Sequence, residues 1–124
     1  MAANQQLVEA FQRAVQLFNG QDWVTLEPLL HDDVTMKRID DAVEYHEGKA
    51  AVMGYFFTNG KKDRAAINPI STDSMVVENL GLVWGSAEWV TTQGARAVPI
   101  AYAYAFKKVG SNWQALNLWG AYSA

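Results

Sequence analysis

Large and small side chains alternate strictly along residues 100–106, where the sequence is Ile-Ala-Tyr-Ala-Tyr-Ala-Phe. Successive side chains of a β-strand point to opposite faces of the sheet, so this period of two predicts a strand. One face would carry only alanine methyl groups, and the other would carry Ile100, Tyr102, Tyr104 and Phe106. We therefore expect the strand to separate a core or cavity on its tyrosine side from a flat apolar surface on its alanine side.

The start of the chain has a helical period instead. Apolar residues recur every three or four positions over residues 7–18, which predicts an amphipathic helix of about four turns. Asn19-Gly20 would end this helix, because glycine adopts the left-handed conformation that often follows a helix. A short second helix is predicted through Leu30, with Asp22 as its N-cap, and Pro28 should shorten or distort it.

The rest of the chain predicts mainly strands. A hairpin comes first, then a third helix from residue 48 to 55 or beyond, and then an antiparallel meander. This order indicates an α+β fold with helices packed on one face of a curved antiparallel sheet, and 124 residues suit a single domain over 1–124. The predicted strands cover residues 34–40, 43–47, 66–77, 82–92, 96–108 and 113–122.

Composition excludes several classes of site. The chain has no cysteine, so disulfides, thiolate metal sites and cysteine nucleophiles are excluded. A net charge of −3 argues against nucleic acid as a partner, since phosphate contacts need clustered lysine and arginine. No apolar run approaches the roughly 18 residues of a membrane span, and no signal peptide is visible. We expect a cytoplasmic protein without a membrane, metal or cofactor partner.

Three segments resemble a known family. They are Phe-Asn-Gly-Gln-Asp-Trp at 18–23, Leu-Leu-His-Asp-Asp-Val at 29–34, and Tyr-His-Glu-Gly-Lys-Ala-Ala-Val at 45–52. Together with the order of elements, they resemble the nuclear transport factor 2-like superfamily and, within it, the SnoaL-like group. The resemblance implies a cone-shaped fold in which three N-terminal helices pack on a curved antiparallel sheet around an apolar pocket. It also implies dimerisation through the sheet.

The resemblance leaves the activity open, because the superfamily contains isomerases, cyclases, dehydratases, epoxide hydrolases and non-catalytic binding domains. Ketosteroid isomerase, a distant relative by this resemblance, uses an aspartate base and an oxyanion hole made by a tyrosine and a protonated aspartic acid. The corresponding positions here hold Arg38, Ala14 and Tyr102. The usual mechanism is therefore absent, although Tyr102 keeps a hydrogen-bond donor at the oxyanion position.

Arg38 and Asp40 are the first candidates for a site. Strand parity places them on the same face as Val34 and Met36, and those apolar residues should face the core. The charged pair would then lie at the pocket mouth, where it could orient an anionic or carbonyl-bearing ligand. Asp40 could act as a general base if burial raises its pKa. Alternatively, Arg38 extends to solvent and Asp40 begins a turn.

The position of Glu88 depends on a hairpin register. A two-residue turn at Gln93-Gly94 would pair Glu88 with Pro99 and place it on the outer face of the sheet. A three-residue loop over residues 93–95 would pair Glu88 with Ile100 and place it in the pocket. We expect the longer loop, because it brings the small residues of both strands to one face.

These candidates lead to two hypotheses about function. In the first, the protein catalyses proton transfer, of an isomerase, cyclase or lyase type, on a small apolar molecule with a carbonyl group. Asp40 or Glu88 would be the base, and Tyr102 and Arg38 would stabilise developing negative charge. In the second, it is a non-catalytic ligand-binding or dimeric interaction domain. The predicted pocket wall consists of Phe18, Met36, Phe57, Trp84, Tyr104, Leu116 and Leu118.

A flat apolar patch is also predicted on the alanine side of the strand. Left exposed, such a patch would be unusual for a monomer, so we expect a homodimer through this face. The predicted interface consists of Ala87, Trp89, Ala101, Ala103, Ala105 and Trp119.

Overall fold

The computed structural model describes residues 2–40, 42–62, 65–91 and 96–122. Helix α1 spans Ala2–Asn19, α2 spans Trp23–Leu26 and α3 spans Lys49–Lys62, with a 3-10 turn at Glu27–Leu29 after α2. None of these helices is both long and apolar enough to cross a membrane.

The second helix is shortened at Pro28, as predicted. Asp22 caps it as expected, since its Oδ1 accepts a hydrogen bond from the Thr25 N–H at 3.2 Å. The helix ends at Leu26 rather than Leu30, and Pro28 lies in the first positions of the 3-10 turn that follows. Proline lacks the N–H that a continuing helix would need, so the chain turns there and enters the first strand.

Six strands form one mixed sheet in the order β2-β1-β6-β5-β4-β3. Neighbouring strands are antiparallel except β1 and β6, which are parallel. The expectation of a wholly antiparallel sheet is therefore wrong, because the last strand of the meander closes against a strand from the other end of the chain. The strands are β1 (Leu30–Ile39), β2 (Val43–Glu47), β3 (Ala65–Val77), β4 (Leu80–Thr91), β5 (Arg96–Val109) and β6 (Asn112–Tyr122).

Helix α1 covers the face of the sheet that we call the inner face. Its apolar stripe includes Leu7, Phe11 and Val15, all of which are buried in the main core. Gly81 on β4 allows this close approach, since a Cβ there would lie only 2.7 Å from a methyl group of Leu7. Burial of this stripe holds the helix on the sheet.

The register between β4 and β5 is the one that a two-residue turn would give. Glu88 pairs with Pro99 and Ala87 pairs with Ile100, so the expected three-residue loop is wrong. The turn itself, at residues 92–95, lies outside the described residues. Odd-numbered residues of β4 therefore share the inner face with the tyrosines of β5, and Glu88 lies on the opposite, outer face.

The small residues of β4 explain the error. They make room inside the protein rather than flattening its outer face. Ala87 is buried in the core, and a Cβ at Gly85 would collide with the backbone of Ser71, where β3 bulges between Pro69 and Ser71.

A second bulge changes the parity of β6. Phe106 pairs with Ala115 and Ala105 pairs with Asn117, which leaves Leu116 as the extra residue. Ala115 faces inward before the bulge, and even-numbered residues such as Leu118 face inward after it. Leu116 is therefore not on the pocket wall, contrary to prediction.

Candidate ligand-binding site

An apolar cavity of about 70 Å³ lies between the inner face of the sheet and helices α1 and α3. A single water needs roughly 10–15 Å³ of such space, so the cavity can take up part of a small organic molecule. Most of the wall is hydrocarbon. The apolar lining residues include Phe11, Ala14, Val15, Phe18, Leu26, Leu30, Met36, Phe56, Ile67, Trp89, Ile100, Phe106 and Leu118.

Four of the seven predicted wall residues line the cavity, and the other three do not. Leu116 occupies the β6 bulge. Trp84 is 38% exposed and pairs with Ala103, which places it on the outer face. Phe57 is 45% exposed, and its ring meets the edge of the Trp23 ring, while its neighbour Phe56 lines the cavity. The four that line it are Phe18, Met36, Tyr104 and Leu118.

Two residues assigned to the dimer face are on the inner face instead. Ala87 is buried, and Trp89 lines the cavity with its ring 5.8 Å from that of Phe18. Both errors follow from the register, since moving β4 by one residue exchanges its two faces.

Arg38 forms the polar end of the cavity. Its Nε and Nη2 groups donate to Asp40 Oδ2 at 2.9 and 2.6 Å, and Nη1 donates to the Tyr55 hydroxyl at 3.1 Å. Glu44 Oε2 lies 3.6 Å from Nη1, and the guanidinium lies 5.0 Å from the centre of the Tyr122 ring. Partial burial alone would lower the pKa of Arg38, but the hydrogen bonds to Tyr55 and Asp40 raise it overall, so the charge is held.

Asp40 is not placed to act as a base. The backbone N–H of Ala42 donates to its Oδ1 at 3.0 Å, and Arg38 holds its other oxygen. These hydrogen bonds keep the pKa of Asp40 below its usual range, whereas a general base would need a raised value. The condition on which the catalytic role of Asp40 depended, a pKa raised by burial, is therefore not met, and its carboxylate orients Arg38 and begins the turn.

Three tyrosines complete the polar end. The Tyr55 hydroxyl accepts from Arg38 and is hydrogen-bonded to the Tyr122 hydroxyl. The third hydroxyl, of Tyr104, has no hydrogen-bond partner among the described residues, although its side chain lines the cavity. Burial raises the pKa of all three phenols, so each remains a protonated donor near neutral pH.

Tyr102 has a different role from the one predicted. Its ring stacks on Phe11, with centroids 5.3 Å apart and planes inclined by 9°. Its hydroxyl donates to the Ser71 carbonyl at 2.9 Å and lies 3.0 Å from the Thr72 hydroxyl. Tyr102 is not among the lining residues, so it ties β5 to the bulge of β3 and does not offer an oxyanion donor to the cavity.

Glu88 also falls outside the cavity, because its pairing with Pro99 places it on the outer face. Of the four predicted catalytic residues, the structure therefore brings Arg38 to the cavity wall and Asp40 to Arg38, and it leaves Glu88 and Tyr102 elsewhere. The described residues on the cavity wall include no carboxylate.

Sequence reasoning did not include two members of this cluster, His46 and Glu44, among the site residues. His46 pairs with Met36 across β1 and β2, so both lie on the inner face. Its ring centre is 4.8 Å from that of Tyr55, and its Nε2 is buried without a hydrogen-bond partner among the described residues. Glu44 pairs with Arg38 in the same ladder. The parity of the hairpin could have revealed both residues once Met36 was assigned to the core.

Solved structures with the same fold cover nearly the whole chain. A nuclear transport factor 2-like protein from Streptomyces avermitilis, for which a dehydratase activity has been suggested, has a TM-score of 0.86 at 11% identity over 99% of this chain and 97% of its own. A protein of unknown function from Pseudomonas putida KT2440 has a TM-score of 0.83 at 13% identity over 97% and 86%. SalBIII, an epoxide hydrolase/cyclase-like enzyme of salinomycin pyran-ring formation, has a TM-score of 0.68 at 17% identity over 96% and 92%.

No family model matches the chain, and no curated protein does. The structural likenesses define the class of fold. The chain has the α+β nuclear transport factor 2-like fold, which confirms the fold that the sequence resemblance implies.

Proposed function

We propose that the protein is a SnoaL-like pocket protein that binds a small apolar molecule, with an oxygen-bearing group of that molecule at the Arg38 end. The hydroxyl of Tyr104, which has no hydrogen-bond partner among the described residues of a mostly hydrocarbon wall, carries the proposal. Buried polar groups are nearly always hydrogen-bonded, so a hydroxyl that lines a cavity without a protein partner favours a partner inside the cavity. Apolar walls with a few convergent polar groups are typical of small-molecule sites.

The proposal is tested by ligand-dependent stabilisation. A panel of small aromatic hydrocarbons, ketones and alcohols is screened by thermal unfolding, where a ligand at a hundred times its Kd stabilises by about 2.7 kcal/mol. Ala14→Met should remove the effect, because the longer side chain would occupy the cavity. Gln12→Met, on the exposed side of the same helix, is the matched control. Failure of every probe to stabilise the natural sequence would contradict the proposal.

Catalysis is the second candidate, as proton transfer on a carbonyl-bearing substrate. Similarity to an epoxide hydrolase/cyclase-like enzyme supports it, as do Arg38 and the phenols, which suit the stabilisation of a developing enolate oxygen. The base would be His46, which lies behind the wall residue Tyr55 and does not itself line the cavity. Its Nε2 is buried without a partner among the described residues, and it would exchange a proton with the ligand through the Tyr55 hydroxyl. Histidine is the side chain that most often transfers protons in enzymes.

Hydrogen–deuterium exchange separates catalysis from binding. A ketone that binds is incubated with the protein in deuterated water, and exchange next to its carbonyl is followed by NMR. Catalysis predicts accelerated exchange that His46→Gln abolishes while binding persists. Exchange at the rate of the protein-free solution would leave a binding protein without proton-transfer activity on that ketone.

We also propose a homodimer through the outer face of the sheet, as the observed register of β4 and β5 defines it. There, the alanines of β5 lie beside Leu82 and Trp84 on one side and Trp119 on the other, and these three large residues are 38–45% exposed. Two copies related by a twofold axis could each place tryptophans on the alanine row of the other. The alanines concerned are Ala101, Ala103 and Ala105.

Sedimentation at micromolar concentration tests this interface. Ala103→Glu should give a monomer, since it places a charge at the centre of the buried patch. Ala51→Glu on the exposed side of α3 should leave the dimer intact. A natural sequence that sediments as a monomer would overturn the proposal.

A further inference from the structure

We infer that the oxygen-bearing group of the ligand is neutral, as in a ketone, aldehyde, ester or alcohol, and that carboxylates are rejected. This inference rests on the proposed function, since it concerns the ligand of the same cavity. The observation behind it is that the guanidinium of Arg38, which lines the cavity, is already paired with Asp40 and faces Glu44.

The charges at the polar end do not leave an anion site. Arg38 contributes one positive charge, while Asp40 at 2.6 Å and Glu44 at 3.6 Å contribute two negative charges. A ligand carboxylate at the same place would add a third negative charge and would have to displace one of these partners. Lys37 also lines the cavity, but it does not neutralise a ligand carboxylate there, because its ammonium lies over the Trp119 ring on the outer face.

The hydrogen-bond donors also favour a neutral oxygen. Arg38 directs three of its five N–H groups, one on each nitrogen, to Asp40 and Tyr55. Two neutral O–H donors remain on the described part of the wall: the Tyr104 hydroxyl, and the one that the mutual hydrogen bond of Tyr55 and Tyr122 leaves over. A carbonyl oxygen needs one or two neutral donors, whereas a buried carboxylate needs a paired charge. The arrangement therefore matches a carbonyl or hydroxyl oxygen against Tyr104.

Three probes of nearly equal size test the inference: toluene, acetophenone and benzoate. Each is titrated into 15N-labelled protein, and the indole N–H of Trp89, which lines the cavity, is followed by NMR. The indole signal of Trp84 on the outer face serves as an internal control. We expect acetophenone to bind at least tenfold more tightly than benzoate.

Two kinds of variant identify the cause. Tyr104→Phe should weaken the binding of acetophenone about three- to tenfold, which is the value of one hydrogen bond. The binding of toluene should be unchanged. Tyr45→Phe, at an exposed position on β2, should change the affinity for neither probe. Asp40→Asn and Glu44→Gln should each raise the affinity for benzoate relative to acetophenone at least fivefold, because each frees part of the Arg38 charge. The two acids are tested separately because Asp40 also holds the turn at Ala42.

The outcomes separate the inference from the proposed function. Binding of benzoate as tightly as acetophenone would overturn charge selection while leaving the cavity as a binding site. Unchanged probe preference in both acid variants would overturn the role of the paired arginine. Failure of all three probes to bind would contradict the proposed function, and the inference would fall with it.

Discussion

Tyr102 and Tyr104 lie two residues apart on the same face of β5, with ring centres 5.1 Å apart and both rings packed on Phe11. Their hydroxyls nevertheless differ. That of Tyr102 is held by Ser71 and Thr72 on β3, while that of Tyr104 faces a cavity without a partner among the described residues. We call the part of the interior at the Tyr102 hydroxyl the closed end, and the polar end of the cavity, where Tyr104 lies, the open end. A satisfied polar group stabilises the fold, and an unsatisfied one is available to a ligand.

The largest expected loss of stability comes from replacing Phe11, which packs on both tyrosine rings. This residue is 1% exposed. Phe11→Ala should lower the free energy of unfolding by about 3–5 kcal/mol, because it removes a buried ring and leaves a cavity. Urea denaturation measures this loss. A loss below about 1 kcal/mol would contradict the idea that one aromatic stack supports both ends.

Tyr102→Phe tests the closed end with a smaller change. The Ser71 carbonyl would lose its hydrogen bond from Tyr102 while the ring stack on Phe11 stays in place. The free energy of unfolding should fall by about 1–2 kcal/mol, the usual cost of removing one partner of a part-buried hydrogen bond. Ligand binding should be unchanged, since Tyr102 does not line the cavity. Lost binding with unchanged stability would reverse the assignment of the two tyrosines.

The fold was largely predictable, because most of its helices and strands follow from the local spacing of apolar residues along the chain. The helical repeat over residues 7–18 and the alternation over 100–106 both have one interpretation in terms of burial. The nuclear transport factor 2-like fold was also implied by the resemblance of short segments. The parallel contact between β1 and β6 was not predictable from local patterns, since it joins the two ends of the chain.

The site was less predictable, because strand faces depend on single-residue shifts. Gly85 and Ala87 suited either a flat outer face or a crowded inner one, and only the contacts of β3 and α1 decide between them. The bulge at Leu116 left no mark in the pattern of its strand. Tyr102 and Tyr104 look equivalent in sequence, since the partner that distinguishes them lies 31 residues away from Tyr102, on β3.

The pH dependence of the free energy of unfolding tests the ion pair between Asp40 and Arg38 at the open end. The pKa of Asp40 is lowered in the folded protein by the Ala42 N–H and by Arg38. A carboxyl group with a depressed folded pKa stabilises the protein above its unfolded pKa of about 3.9. That contribution is lost as the pH falls through the folded pKa.

Asp40→Asn should therefore be less stable than the natural sequence at pH 6, and the difference should shrink as the pH falls below about 4. The effect should be small, because the carboxylate is partly exposed and solvent screens it. Chemical denaturation between pH 2.5 and 7 measures the difference, with Asp33→Asn, at an exposed position outside the cluster, as the control. A difference that is constant across this range would contradict the pairing of Asp40 with Arg38.

The smallest effect on stability is expected at Tyr104, and it gives the sharpest contrast with Tyr102. Tyr104→Phe removes a hydroxyl that has no partner among the described residues, so no hydrogen bond of the described fold is lost. The free energy of unfolding should change by less than about 0.5 kcal/mol, and a gain is as acceptable as a loss. Parallel urea denaturation of Tyr102→Phe and Tyr104→Phe makes the comparison directly. If Tyr104→Phe cost as much as Tyr102→Phe, its hydroxyl would be structural, and the open end of the cavity would no longer offer a free donor to a ligand.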